Sequence, residues 1–406
     1  MTFFPITQID SSDPSLFDSY ARLRVSNSMV LFNSKQLRDG SPLVWATKTV
    51  SGGTATHVQN RASTQLSVTS TIGSKVIRQT KQVFDYDPGR GYQVMISGIL
   101  ALTIVAGISS KMGYFDSSNG LFFELSGSTL NVCCRSSIGG VTQTTTVPQS
   151  SWNIDKLDGT GPSGILINPT YAQNFLFDFS WIGVGRSRIG LIHNGQIIYC
   201  HEFYNSNVRG SASISNPNLP IRFEIENISG PAGATMEHIC AMVIAEGDEI
   251  AKGLQRSVDR GASLMTGITS GLGLVPLISI RLKAANLNSS IGISGLNVIS
   301  TTTSNFKWAI ILNPTVGGVD GASWTSLSNS SVEYDISRTS SNTITGGTVL
   351  YSGYSPDISF ISKDIELQLK LGADVDGVRD QLVLCVQTIT AGNESYIGSL
   401  IFTESF

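Results

Sequence analysis

A chain of 406 residues exceeds the length at which single cores stop growing, so two or three domains are expected. Charged residues are 14% of it against about 25% in ordinary soluble domains. The formal net charge is -3 and the pI near 5.8, which excludes a basic face able to neutralise a nucleic-acid backbone.

The opening MTFFPITQIDSS has neither the basic nor the long apolar region of a secretory signal. Residues 1–20, with Pro5 and Pro14, read as a polar N-terminal arm, and ordered sequence is expected from Tyr20. Helical periodicity is scarce, while β-branched residues with Gly, Asn, Asp and Pro punctuation recur throughout. Strands are predicted at 22–31, 43–50, 64–69, 75–84, 111–115, 121–125, 129–135 and 140–147. The apolar run from Tyr92 to Ile108 is shorter than the roughly 20 residues of a membrane span and is broken by Gly98, so it reads as two buried strands. Next comes FLFDFSWIGVGRSRIGLIHNGQIIYCHEF, Phe175 to Phe203. Phe175, Phe177 and Phe179 sit two apart, the mark of a strand with one face buried, and Asn194-Gly195 supplies the positive φ angles of a tight hairpin. Further strands follow at 221–227 and 234–244.

From Glu246 to Leu274 the apolar period fades into Gly- and Ser-rich sequence, which reads as a linker; DEIAKGLQRSV, 248–258, is the best helix candidate, weakened by Gly253. A second set of strands is predicted at 277–283, 292–300, 306–313, 332–337, 348–354, 365–371, 382–389 and 395–403. The fold class is therefore all-β, with two β-sandwich, jelly-roll-like domains in tandem: an arm at 1–20, a sandwich at 21–245, a linker at 246–274 and a second sandwich at 275–406.

The five cysteines, Cys133, Cys134, Cys200, Cys240 and Cys385, are an odd count without disulfide-scaffold density, which predicts reduced thiols in a protein assembled inside a cell. Cys200, His201 and Glu202, with Glu237, His238 and Cys240, have the residue types of a zinc site. Alternation on a strand puts neighbours on opposite faces, so a satisfied histidine and buried thiols are the better reading. Asp155 and Asp158 stand near turn glycines, where Asx-turn capping competes with calcium; DYDPGRG, 85–91, reads as a turn. Glu224 and Glu226 lie on one strand face, the spacing a glycoside hydrolase could use, against a solvated outer face as the plain alternative. Trp45, Trp152, Trp181, Trp308 and Trp324 are scattered singly. Phosphate-loop, dinucleotide, nucleophile-elbow and zinc-protease motifs do not occur. Sequons at Asn227, Asn288, Asn329 and Asn393 matter only if the chain meets a glycosylation machinery.

The order of features from Gly113 to Asn227, with GYFD opening one strand and HNGQIIY returning another, resembles the concanavalin-A-like lectin and laminin-G sandwiches. A second resemblance covers most of the chain. YARLRVSNSMVLFNSKQ, GYFDSSNGLFFE, VPQSSWNIDKLDGTGPSG and NPNLPIRFEIEN, then PLISIRLK, ILNPTV, GGTVLYSGY and LVLCVQTITAGNESYIGSL, look like a family of virion structural proteins of tailed phages and large DNA viruses of aquatic microbes. That resemblance implies a non-enzymatic structural component of a virus particle, associated with capsid, vertex or tail and assembled in the host cytoplasm. Its expected partners are other virion proteins and further copies of itself, without nucleic acid or a membrane span. The alternative is a lectin-like host-attachment module that binds surface glycans. No catalytic, cofactor-binding or metal residue is assigned and no cofactor is expected.

Overall fold

The computed structural model describes residues 14–181, 183–247, 253–301, 305–318, 321–355, 360–364, 369–389 and 392–405. They form two compact units, Met1–Thr80 with Tyr86–Ile250, and Lys81–Asp85 with Ala251–Phe406.

In the first unit the strands are β1 (Ser28–Lys35), β2 (Trp45–Val50), β3 (Thr54–Val58), β4 (Ser63–Val68), β5 (Lys75–Thr80), β6 (Tyr92–Ile99), β7 (Ile108–Phe115), β8 (Gly120–Ser126), β9 (Thr129–Ser136), β10 (Gln143–Pro148), β11 (Gln173–Phe179), β12 (Ser187–His193), β13 (Gln196–Phe203), β14 (Ile221–Asn227) and β15 (Ala234–Glu246). One sheet runs β13-β12-β11-β6-β15-β4-β3, with β1 also on β15; the other runs β10-β9-β8-β7-β14-β5-β2, and every pairing is antiparallel. Asn194 and Gly195, at φ 50° and 79°, close the two-residue turn that pairs His193 with Gln196, as the sequence predicts. The aromatic alternation of β11 supplies the interface between the sheets. Phe175 and Phe177 lie 4.6 and 5.8 Å from Phe123 of β8, and Phe179 stacks on Tyr114 of β7 at 5.2 Å.

The other face of β11 is buried too, and there the one-sided reading fails. Leu176 and Asp178 are fully buried. The segment Pro14–Arg24, expected to belong largely to a free arm, lies over them, and Asp18 and Ser19 are buried with it. Residues 1–13 of the expected arm lie outside the described residues. The run 92–108 gives one full strand and the start of the next rather than two strands, because 100–107 turns between the sheets. Among the described residues no helix is long and apolar enough to cross a membrane.

The three connections that carry the chain between sheets at one end, 69–74, 100–107 and 228–233, are stitched to one another. Gly73 donates its amide to Asn227 O at 2.8 Å, Ile228 and Ser229 donate to Gly107 O at 2.8 and 3.1 Å, and the Asn227 side chain bonds Thr69 O and Gly230. Gly107, at φ 75°, has no room for a side chain: a Cβ would lie 2.4 Å from the Gly230 nitrogen.

The second unit has its own core around Leu277, Ile280, Phe306, Trp308, Tyr396 and Phe402. One sheet orders Leu254–Asp259, Glu394–Ser405, Ser290–Ser300 and Phe360–Asp364, with Met265–Ile268 and Lys370–Leu371 on its flanks. Facing it are Thr325–Ser326, Val332–Asp335, Val275–Leu282, Gln381–Thr388, Phe306–Leu312 and Thr348–Ser355. A two-stranded ribbon, Thr315–Gly317 with Thr343–Thr345, supplies Val316 and Ile344 to a smaller cluster with Ala309, Ile311, Val383 and Cys385.

The stretch expected as a linker thus contributes two strands, and its helix candidate ends in one of them. Val258, Met265 and Ile268 are buried, apolar positions that the surrounding Gly and Ser hide from a periodicity count. Residues 248–252 of that candidate, and 365–368 of the predicted strand 365–371, lie outside the described residues.

Candidate functional site

Glu224 and Glu226 are the sharpest chemical hypothesis the sequence offers, and the register shows what surrounds them. Phe223 stacks on His238 of the facing sheet at 4.1 Å, so it points inward and the flanking Arg222, Glu224 and Glu226 point outward. The row through Glu224 continues to Lys111 of β7 and Glu124 of β8; the row through Glu226 meets Lys75 of β5. The Arg222 guanidinium donates twice to Glu224 Oε2, at 3.0 and 2.5 Å. Lys75 and Lys111 reach Glu224 Oε1 at 3.0 and 3.2 Å, and Lys75 also bonds Glu226 at 2.9 Å. Ser109 donates to Glu124 at 2.7 Å, and the Cys133 thiol lies 3.7 Å from its other oxygen. Beside this row Phe115 and Phe122 pack at 4.5 Å beneath the guanidinium groups of Arg135 and Arg222, which lie 4.9 to 5.6 Å from their rings.

Burial alone would raise the Glu224 carboxyl, but Arg222, Lys111 and Lys75 together hold it far below the ordinary carboxylate range. Both oxygens are occupied by cations and the group stays ionised. It has no proton to give a leaving group and no free lone pair aimed at an incoming one. The expected solvated outer face is in fact a lattice of ion pairs in which Glu224 and Arg222 are buried and Lys75 and Glu226 are half-buried.

The residues weighed as metal ligands serve other ends. Bulges fall at both places, at Cys200 opposite the Ile189–Gly190 step and between His238 and Cys240, so simple two-residue alternation does not hold there. His201 accepts the Asn153 amide at Nδ1 (3.3 Å) and packs edge-on against Phe203. Glu237 takes a two-pronged bond from Arg61 at 2.6 Å in each arm. His238 is buried between Trp45 and Phe223 and accepts from Arg78 Nε at 3.2 Å. Asp155 accepts the amide of Leu157 at 2.8 Å and Asp158 that of Thr160 at 2.9 Å, the bonding of Asx turns, and Asp155 also accepts the Ser163 amide across its loop at 2.8 Å. In the 85–91 turn Asp87 pairs with Arg90 at 3.1 Å. Among the described residues no group of three or more His, Cys, Asp or Glu is placed to hold a metal ion. Asn227 is fully buried, whereas Asn288, Asn329 and Asn393 are exposed.

Two features escaped the sequence. Under the Pro14–Arg24 segment, Asp178 accepts from Arg24 (2.6 Å), Arg188 (2.8 Å), Ser19 (3.0 Å) and the Tyr199 hydroxyl. Arg188 also donates to the carbonyls of Pro14 and Phe17, and Arg24 pairs with Glu246. The one available signal was an aspartate inside FLFDF, an acid on a face that alternation leaves facing water.

The second is a cleft between the sheets at the end opposite the stitched connections. Tyr114, Phe179 and Trp181 wall it, and Ser187, Asn205 and Ser213 supply polar groups. Its enclosed part amounts to about 20 Å³, room for one water-sized group. The walls are fixed: Trp181 donates its amide to the Tyr86 hydroxyl at 2.7 Å, Asn205 bonds Gly185 O at 2.6 Å, and Ser213 bonds Gly183 O at 2.7 Å. The Trp181 indole Nε1–H is buried without a hydrogen-bond partner among the described residues. Single tryptophans give no pattern, so this cleft was not legible.

No protein-family model matches the chain, and no curated protein matches its sequence. Among solved structures the chain is similar to the carbohydrate recognition domain of Emp47p (11% identical, TM-score 0.34, covering 54% of this chain and 97% of that one). It is also similar to a glycoside hydrolase family 16 endo-glucanase from Bacteroides ovatus (12%, 0.35, 52% and 99%). A third similar structure is the CBM2 module of the evolved Dit of Lactobacillus casei BL23 phage J-1 (9%, 0.35, 55% and 99%).

Proposed function

We propose that the chain is a non-enzymatic structural component of a virus particle, at capsid, vertex or tail, that acts through protein–protein assembly and is put together in the host cytoplasm. The observation that carries this reading is the chemistry of the sheet edges. Strands that must stay single are usually blunted by charge, proline or bulges. β3 (TATHV) and β10 (QTTTVP) end their sheets without one Asp, Glu, Lys or Arg, and the proline of β10 is its last residue, Pro148. β10 keeps an unbroken register with β9, and Gln143–Thr146 are exposed. Such edges accept another strand. The Glu224 lattice supports the non-enzymatic half, since its carboxylate is already spent on cations. Light scattering of the purified protein at rising concentration is expected to show discrete oligomers that Thr145→Lys weakens; a strict monomer at 100 μM, roughly the upper range for a working contact, would sink the assembly reading.

A second reading is attachment to a host-surface glycan by the first unit. The feature that favours it is the Trp181 cleft, an aromatic wall with one unspent donor and neutral polar groups, and Tyr204 stands exposed beside Asn205. Glycan-array binding that Trp181→Phe abolishes is the expected result; binding indifferent to that change removes the cleft from consideration.

A further inference from the structure

The walls of the Trp181 cleft restrict what can enter it to one kind of chemical group. None of the residues lining it is Asp, Glu, Lys, Arg or His, and the Cys134 thiol in its wall, pushed up to about 11 by burial, is neutral near pH 7. Arg209 stands outside the lining, exposed to water, with its Nε on Asn205 Oδ1 at 3.2 Å. An ionised ligand group would shed its water here with no opposite charge in the walls to replace it, so the group that enters is neutral.

The lining side chains sort into three kinds of partner. Tyr114, Leu121 and Phe179 give apolar wall, with the rings of Tyr114 and Phe179 stacked at 5.2 Å. The Trp181 Nε1–H is the one buried side-chain donor of the lining without an acceptor among the described residues. A buried N–H in that state costs about 1–3 kcal/mol, a cost removed when a ligand brings a carbonyl. Ser187 and Ser213 carry hydroxyl oxygens that can accept, whereas the Asn205 amide is spent on Gly185 O and its oxygen on Arg209. The enclosed part takes one water-sized group, which suits a methyl and refuses a ring.

We propose that the cleft is an acetamido site: the methyl of an N-acetylated sugar fills the enclosed part against Tyr114, Leu121 and Phe179, its carbonyl accepts from Trp181 Nε1–H, and its amide N–H donates to Ser187 or Ser213. A plain hydroxyl in that place would face aromatic and aliphatic walls and lose, on that side, the hydrogen bonds it makes in water. Tyr204, 60% exposed and next to Asn205 in the chain, offers an amphipathic ring face to the pyranose. The inference rests on the glycan reading and names the sugar substituent that its site selects.

Saturation-transfer NMR on the full chain tests it, with the methyl glycosides of N-acetylglucosamine and N-acetylgalactosamine set against those of glucose and galactose, which carry a hydroxyl in place of the acetamido group. The acetyl methyl is expected to receive the strongest saturation, and the better acetamido sugar to bind roughly 10-fold more tightly than its hydroxyl counterpart, the effect of one neutral hydrogen bond. Its N-propionyl analogue, one methylene too long for the enclosed part, is expected to lose as much. Trp181→Phe, which keeps a ring and removes the N–H, is expected to erase the preference; the ligand series itself uses the wild type, so a variant that fails to fold does not decide the outcome. Glycan-array binding that is lost in Trp181→Phe but equal for acetamido and hydroxyl sugars overturns this inference and leaves the glycan reading standing. Failure to bind any glycan overturns both. N-acetyllysine bound as tightly as the acetamido sugars, or binding confined to sugars that carry a carboxylate, also overturns it.

Discussion

His238 shows at the scale of one residue how a polar group is kept inside this sandwich. Its ring stacks between Phe223 and Trp45 and accepts from Arg78, which leaves the proton on Nε2, buried without a partner among the described residues. Burial, with Arg78 beside it, holds its pKa well below 6.5; burial likewise brings Arg78 down to about 10. Above pH 6.5 the imidazole is neutral folded or unfolded. Below it the unfolded chain takes up a proton that the fold refuses, so stability falls as pH drops, by up to about 1.4 kcal/mol per pH unit for one such group. Denaturant unfolding at pH 7.5, 6.5 and 5.5 is expected to show this slope, reduced in His238→Gln; equal slopes in both proteins would remove His238 as its source. His201, lowered by burial, adds in the same direction. The thiols are governed by burial too. Cys134 is pushed up to about 11 and Cys133, with Glu124 adding to burial, to about 12, and Cys200 and Cys385 are also raised and buried. Only Cys240 is half-buried. Iodoacetamide at pH 8 is therefore expected to add one carbamidomethyl group to the native protein, at Cys240; prompt labelling of two or more sites would contradict the packing.

At the scale of elements, the β11–β13 face depends on the strap from Pro14 to Arg24. Asp178 has its charge matched by Arg24 and Arg188 in a dry setting, so Asp178→Ala, which leaves the buried Arg188 with only backbone carbonyls and Arg24 with Glu246 as its one carboxylate, is expected to cost about 3 kcal/mol. Beginning the chain at residue 14 keeps every one of these contacts; beginning it at residue 25 is expected to lower the melting temperature by an amount similar to Asp178→Ala. Equal stability of the two truncations would show that the strap contributes nothing. Legibility in the sequence followed the same division. β11 to β13 could be read because alternating Phe and an Asn-Gly turn act locally. The strap could not, since its partners lie 154 to 222 positions away and no local pattern encodes them. Glu224 and Glu226 were correctly placed on one strand face, but the cations that neutralise them come from β5, β7 and β14, a fact of register rather than spacing.

For the whole molecule, the domain boundary is the least legible feature because both units are discontinuous in sequence. Lys81–Asp85 belongs with the second unit, where Ala373 donates its amide to Lys81 O at 3.3 Å and Lys81 pairs with Asp380 at 3.6 Å. A fragment spanning Ala251–Phe406 lacks these five residues. It is expected to unfold at lower denaturant than the second unit in the intact chain, and adding a peptide of residues 81–85 in millimolar amounts, the range needed to replace a tethered segment, is expected to recover part of the loss. Indistinguishable midpoints would mean that the segment is dispensable.

The strap also fixes an order of events during synthesis. Arg24 is made before its partners Asp178 and Glu246, which follow 154 and 222 residues later. At about 5–20 residues per second, the strap waits on the order of 10 to 45 seconds before its last anchor exists. The strap, translated well before its partners, is thus among the last parts of this sandwich to dock, and until then the buried acid of β11 stays open to water.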